Sequence, residues 1–269
     1  MKGAHSLQSS VDLISMKERR VLITGASSGI GKAMAVRFAD AGADLVLLDI
    51  DKAGLERTAA SVRSYGRAVE TWALDLSRKE DIDDFWHQSA EFEPDTLVNN
   101  AGIYPMKDYL ELDVGFWEKT IDVNLDSVVW MCQAFIARRQ KKGGVIVNVS
   151  SIEALLPFKE HLVPYSVSKS GILALTRALA REYGRKGFRI NAIVPGAIRT
   201  PGTEGLAKEA LRQLRFDLLK TGYDFQCRLA LGRWGQPDEV ARVALFLASD
   251  LAAYVQGAMI PVDGGFLSS

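Results

Sequence analysis

Val21-Leu22-Ile23-Thr24-Gly25-Ala26-Ser27-Ser28-Gly29-Ile30-Gly31 runs from an apolar, β-branched stretch into three closely spaced glycines. A pattern through Met34, Phe38 and Ala41 follows and stops at Gly42. The first run reads as a strand and the second as a helix, because apolar positions three and four apart fall on one helical face. The alternation then repeats. Asp44–Asp49 contains the continuous apolar core Leu45-Val46-Leu47-Leu48, expected of a strand buried on both faces. A polar helix over about 51–65 leads to Gly66 and a strand over Val69–Leu74. Ser77-Arg78-Lys79-Glu80 fits a capping box opening a helix with Ile82, Phe85 and Trp86. Strands at 96–98, 145–149, 189–194 and 258–262 alternate with helices at about 114–138, 164–185 and 236–249.

Strands separated by helices imply right-handed crossovers. The expected fold is α/β: a doubly wound, Rossmann-like parallel sheet of about seven strands, with helices on both faces. No linker or repeat divides the chain, so residues 16–269 read as one domain after an extension over 1–15, possible as either disorder or a subunit cover. The 269 residues carry 48% apolar and 25% charged side chains, ordinary for a globular protein. Lys+Arg and Asp+Glu both total 33, which argues against nucleic acid or an anionic membrane as the main partner. No apolar run reaches membrane-spanning length. Cys132 and Cys227 form no CxxC pattern, and His5, His87 and His161 show no ligand spacing. A metal is not expected, and the expected setting is a reducing cytoplasm.

In such sheets ligands bind at the carboxyl ends of the strands. Glycines at 25, 29 and 31 let the backbone approach a pyrophosphate, and the following helix start offers free N–H groups. The spacing is GxxxGxG rather than GxGxxG. Asp49, eighteen residues beyond Gly31, ends the second strand and can accept bonds from both hydroxyls of an adenosine ribose. It would repel a 2′-phosphate, and Ser28 and Ile50 offer no offsetting cation. NAD is therefore the expected cofactor and NADP is disfavoured.

Tyr165-Ser166-Val167-Ser168-Lys169 places a phenol and an ammonium four residues apart, on one face of a helix. A cation about 4 Å from the phenol is worth roughly 4 kcal/mol at an effective dielectric near 20. That lowers a phenol pKa by about three units, enough to take an alcohol proton near neutral pH.

Thr24-Gly25-x-x-x-Gly29-x-Gly31, Asn99-Asn100-Ala101-Gly102, Asn124, Ser151, Tyr165-x-x-x-Lys169 and Pro195-Gly196 together resemble the classical short-chain dehydrogenase/reductase family from Val21 to Phe266. The segment from Ser151 to Tyr165 is about one residue longer than is common there. The resemblance implies that Tyr165 is the catalytic acid/base, that Lys169 lowers its pKa and binds the nicotinamide ribose, and that Ser151 holds the substrate oxygen. Asn124 would position a water beside Lys169. Gly25, Ser27, Ser28, Gly29, Ile30, Gly31, Asp49, Ile50, Asp75, Leu76, Asn100, Ala101 and Gly102 would line the adenosine and phosphate side. Pro195, Gly196, Ile198 and Thr200 would border the nicotinamide. A homotetramer built on the long helices is also implied, with Val128, Trp130, Ile172 and Leu175 either at its interfaces or in the chain's own core.

Residues 200–234 occupy the family's variable lid. Helical stretches around 204–221, then Tyr223, Phe225, Leu229, Leu231 and Trp234, either form a lid or pack the domain edge. Glu153, Tyr104 and His161 are candidates to meet a substrate hydroxyl, although Glu153 has an equally simple role facing solvent or a neighbouring base. The expectation is an NAD-linked dehydrogenase of a sugar, polyol or related secondary alcohol. A 3-oxoacyl thioester reductase is the alternative within the family. An inactive NAD-binding regulator or scaffold is the alternative outside it.

Overall fold

The computed structural model describes residues 7–89, 91–203, 205 and 224–269. Seven strands form one parallel sheet in the order β3-β2-β1-β4-β5-β6-β7. They are β1 (Arg20–Thr24), β2 (Asp44–Asp49), β3 (Val69–Ala73), β4 (Thr96–Asn99), β5 (Gly144–Val149), β6 (Phe188–Pro195) and β7 (Met259–Val262). The order reverses between β1 and β4, which opens a crevice at their carboxyl ends.

Alternation along the strands feeds two cores. Val21, Ile23, Leu45 and Leu47 pack with Met34, Phe38, Leu55, Val240 and Leu247. These come from α2 (Gly29–Asp40), α3 (Lys52–Arg63) and α8 (Pro237–Ala248). On the other face Leu22, Val46 and Leu48 pack with Ile82, Phe85, Met131, Phe135 and Ile172. Those belong to α4 (Lys79–Gln88), α6 (Ser127–Arg138) and α7 (Val163–Tyr183). Val128 and Ile172 are thus core residues of this chain, while Trp130 and Leu175 are half-buried at its margin. The described part of the extension contains the short helix α1 (Ser10–Ile14), capped by Ser9.

Two local expectations are corrected. The expected helix over 114–138 is α5 (Val114–Ile121) and α6 joined by a π-helical turn, Asp122–Asp126, with Asn124 inside it. Such turns recur at functional sites. The capping box at Ser77 does not form: Arg78 is the N-cap without a side-chain bond, and the Ser77 hydroxyl donates to Asp75 (2.7 Å). A Glu side chain does reach back at α8, where Glu239 accepts from the Gln236 amide (2.8 Å).

The segment 204 and 206–223 lies outside the described residues, and with it the expected helical stretch and Tyr223. Of the aromatics beyond it, Phe225 stacks on Phe266 (4.4 Å) and meets Phe158 edge-on (5.2 Å), with Trp234 alongside. Leu229 is buried in the same cluster and Leu231 is exposed. Phe225, Leu229 and Trp234 thus pack together beside Phe266.

Candidate active site

The glycine turn is built by close backbone approach. Gly25 has φ +66, and a Cβ there would stand 2.7 Å from the Ala101 Cα. A Cβ on Gly31 would stand 2.0 Å from the Gly25 carbonyl oxygen. Thr24 Oγ1 accepts the amides of Asn100 and Ala101 (both 3.0 Å), and the Asn100 carboxamide donates to the carbonyls of Thr24 and Gly25 (3.0 and 3.1 Å). The side chain of Asn100 therefore braces the turn. Ser28 is the N-cap of α2 and makes no side-chain cap bond. The first intrahelical bond runs from Lys32 to the Ser28 carbonyl, so the amides of Gly29, Ile30 and Gly31 precede the helical ladder. These features fit a dinucleotide: an anion-seeking helix start behind a turn with no Cβ to obstruct it.

Asp49 stands at the end of β2 beside that turn. Its carboxylate accepts the amides of Ser27 and Asp51 (3.0 Å each), and the neighbouring Ile50 is exposed. Asp75 is engaged in a local turn, accepting from the Ser77 amide and hydroxyl. Leu76 is buried in the sheet-face core rather than open at the surface. Across the crevice a Cβ on Gly29 would touch Thr200 Cγ2 at 3.3 Å, so Thr200 lies against the turn. The Gly196 amide donates to the Val262 carbonyl (3.0 Å), at the end of β6, and Ile198 is buried against Gly235.

Around Tyr165 the chemistry-bearing groups converge. Lys169 is buried on α7 and donates from Nζ to the Val149 carbonyl (3.1 Å). A Cβ on Gly102 would lie 3.1 Å from Asn124 Oδ1 and 3.3 Å from Lys169 Nζ, so those three residues meet. The Asn124 carboxamide spans Ile103, accepting from its amide (2.7 Å) and donating to its carbonyl (2.9 Å). Ser151, buried beyond β5, accepts from the Glu153 amide (3.2 Å), and its hydroxyl favours the ionised form of the Tyr165 phenol. Ser150, which the sequence reading passed over, ties the same strand end to α7 by donating to the Lys169 carbonyl (2.8 Å).

The substrate side holds Tyr104, edge-on to Tyr165 with ring centroids 4.6 Å apart. Glu153 does not face solvent. It is 5% exposed, and its two oxygens accept the amides of Phe158 (3.1 Å) and Lys159 (3.2 Å). His161 has φ +65 and its Nδ1 lies 3.7 Å from Asp108.

Burial changes the electrostatic expectation. It pushes the Tyr165 phenol up to about 12; the Ser151 hydrogen bond opposes this and the Glu153 carboxylate adds to it. Tyr104 is raised for the same first reason. The net shift of Tyr165 in the chain alone is therefore upward, with desolvation its largest cause. The ammonium stands 5.7 Å from the tyrosine ring centroid and is itself lowered by burial to about 8.

That shift has a stability consequence. Between about 8 and the ordinary 10.5, the unfolded chain binds more protons than the folded one, so stability rises with pH across this window. A 2.5-unit difference corresponds to about 3 kcal/mol. Lys169→Met is expected to be the more stable protein below pH 8, with the gap closing towards pH 10.5. Urea unfolding of both proteins over pH 7–10.5 checks it; a pH-independent gap would refute it.

The comparisons agree with this geometry. A family model described as enoyl-(acyl carrier protein) reductase matches residues 25–267. Galactitol 2-dehydrogenase (L-tagatose-forming) of Cereibacter sphaeroides is 37% identical, over 91% of this chain and 93% of its own. 3-Oxoacyl-[acyl-carrier-protein] reductase of Thermotoga maritima is 35% identical, over 91% and 96%. A Beutenbergia cavernae structure, provisionally assigned as an NAD(P)-dependent gluconate 5-dehydrogenase and carrying NADP at low occupancy, superposes with a TM-score of 0.87. It is 32% identical and covers 96% of this chain and all of its own. With a seven-stranded parallel sheet, a glycine turn at the strand-order reversal and a Ser–Tyr–Lys cluster beside it, this chain belongs to the classical short-chain dehydrogenase/reductase family, whose members transfer a hydride between CH–OH groups and a nicotinamide.

Proposed function

We propose that this protein interconverts a secondary alcohol of a sugar, polyol or related hydroxy compound with its ketone, using NAD. The observation that carries the reading is the meeting of Ser151, Tyr165, Lys169 and Asn124 beside the Gly25–Gly31 turn, with Tyr104 and Glu153 adding polar groups on the substrate side. In oxidation Tyr165 takes the hydroxyl proton as the carbinol hydride leaves, and Ser151 donates a hydrogen bond to the substrate oxygen. The bound nicotinamide is the hydride acceptor. Lys169 would hold the ribose hydroxyls, and Asn124 would keep a water beside Lys169 through which the proton reaches solvent. Reduction runs these steps backwards. A panel of sugars, polyols and acyl thioesters read by NADH absorbance tests the reading. Turnover of acyl thioesters alone would favour the reductase alternative, which the Thermotoga relative supports. Turnover of nothing in a broad panel, with tight NAD binding, would favour a regulator.

The NAD preference rests on Asp49, fixed by two backbone amides where an adenosine ribose would lie. Charged hydrogen bonds of this kind are worth about 1.5–3 kcal/mol. Asp49→Ala is therefore expected to reduce the NAD-over-NADP ratio of kcat/KM by about 10–100-fold. Equal kcat/KM for both cofactors in the unaltered protein would sink the preference. We also place the protein in the cytoplasm as a homotetramer: its two cysteines are free, and Trp130 and Leu175 leave apolar surface on the long helices. Sedimentation velocity tests the assembly.

A further inference from the structure

Two nitrogen-bearing side chains of the loops near the site have acidic partners within the chain. Lys107 pairs with Asp113, and His161 faces Asp108. Lys159 differs from both. It is half-buried, yet among the described residues no carboxylate comes within ion-pair distance of its ammonium. Its Nζ stands 5.4 Å from the centroid of the Tyr104 ring. That ring in turn meets Tyr165 at 4.6 Å.

The ammonium is also held in place from its backbone. Glu153, buried beside Ser151, accepts the Lys159 amide, so the loop carrying the cation is pinned to the catalytic serine's own turn. The two Glu153 oxygens accept the Phe158 and Lys159 amides, and Glu153 acts on the lysine head only from beyond ion-pair distance among the described residues. Resting over an aromatic face recovers about 0.5–1 kcal/mol at an exposed site, less than a charge-assisted hydrogen bond supplies. Desolvation is correspondingly the main influence on this lysine and lowers its proton affinity, with Glu153 opposing. A partly dehydrated cation within a few ångströms of the tyrosine's aromatic partner is arranged to receive an anion.

We propose that Lys159 binds a carboxylate of the substrate, so that the alcohol oxidised is that of a sugar-length hydroxy acid rather than of a neutral polyol. The proposal rests on the hydride-transfer reading above. With its ammonium 5.4 Å from the Tyr104 ring centroid and that centroid 4.6 Å from the one of Tyr165, Lys159 lies close enough to the reacting phenol for one sugar-length chain to touch both.

The test uses matched substrates, D-gluconate and D-glucitol, with the full-length protein and its Lys159→Met and Lys159→Arg variants, all checked for unchanged melting temperature. The acid-over-polyol ratio of kcat/KM is expected to favour gluconate, to fall about 10–100-fold in Lys159→Met through KM, and to recover in large part in Lys159→Arg. The KM for gluconate should also rise with salt. A ratio that Lys159→Met leaves unchanged, or a loss that Lys159→Arg does not recover, overturns the proposal. Turnover of polyols without any sugar acid overturns it while leaving the hydride-transfer reading intact. No turnover of either class overturns both.

Discussion

Tyr165→Phe is expected to lower kcat by about 10²–10⁴-fold, the usual worth of a positioned acid/base, while cofactor affinity stays nearly intact. The separation of effects follows from what the substitution removes. Phenylalanine keeps the ring and hence its edge contact with Tyr104, and Lys169 keeps its bond to the Val149 carbonyl. The glycine turn and Asp49 lie on other elements. Only the phenol hydroxyl, with its influence from Ser151, is lost. The pH profile supplies a second reading. Alcohol oxidation uses the ionised phenol, which burial disfavours, so its rate should climb with pH below the phenol's pKa. Ketone reduction uses the protonated form and should show the opposite slope. Stopped-flow NADH formation and cofactor fluorescence titration check both halves; a variant that retains turnover would remove Tyr165 from the chemistry.

Gly31→Ala should abolish dinucleotide binding and destabilise the fold together. The new methyl carbon would stand 2.0 Å from the Gly25 carbonyl oxygen and 2.6 Å from Asn100 Nδ2. Gly25 cannot retreat, because it already sits close against Ala101 with a positive φ. Overpacking of this kind costs about 1–3 kcal/mol, and each kcal/mol lowers Tm by about 2–4 °C in a chain of this size class. The informative control is Gly66→Ala. That glycine has φ +71 with nothing within 4 Å of a Cβ, so the alanine carries a left-handed strain of about 1–2 kcal/mol and nothing else. Both variants should melt earlier, and only Gly31→Ala should lose NADH in a fluorescence titration. Unchanged NADH affinity in Gly31→Ala would mean that the turn is not the nucleotide site.

The sheet was legible wherever a signal is local. Leu45–Leu48 read as a strand buried on both faces, and all four side chains are fully buried, alternating between the two cores. The cluster of Ser151, Tyr165 and Lys169 was likewise readable, because helical spacing and a strand end bring those residues together. What escaped depends on partners distant in sequence or on burial. Glu153 looked free to face solvent because nothing local reveals that the next turn folds its amides back onto it. The net shift of Tyr165 in the chain alone runs upward because a distance argument omits the cost of removing the phenol from water. Ser77 satisfied a capping pattern, yet Asp75 lies nearer to its hydroxyl than any amide of α4. Lys159 went unremarked because a lysine in a loop carries no pattern; its place over Tyr104, with no ion-pair partner among the described residues, sets it apart.

The π-helical turn at Asp122–Asp126 sets the rotational phase between the two halves of one helix. An α-helix advances about 100° per residue, and a π-turn accommodates one residue more than the regular spiral. Asn124 occupies that surplus and faces Ile103, while Met131, Cys132 and Phe135 beyond it still point into the core. The Asn124 position and the packing stripe of α6 are therefore out of step through the geometry of the backbone. Removing any single residue from 122–126 would bring them into step and swing one of the two faces about 100° away from its target. Length in this segment is as much a functional constraint as side-chain identity.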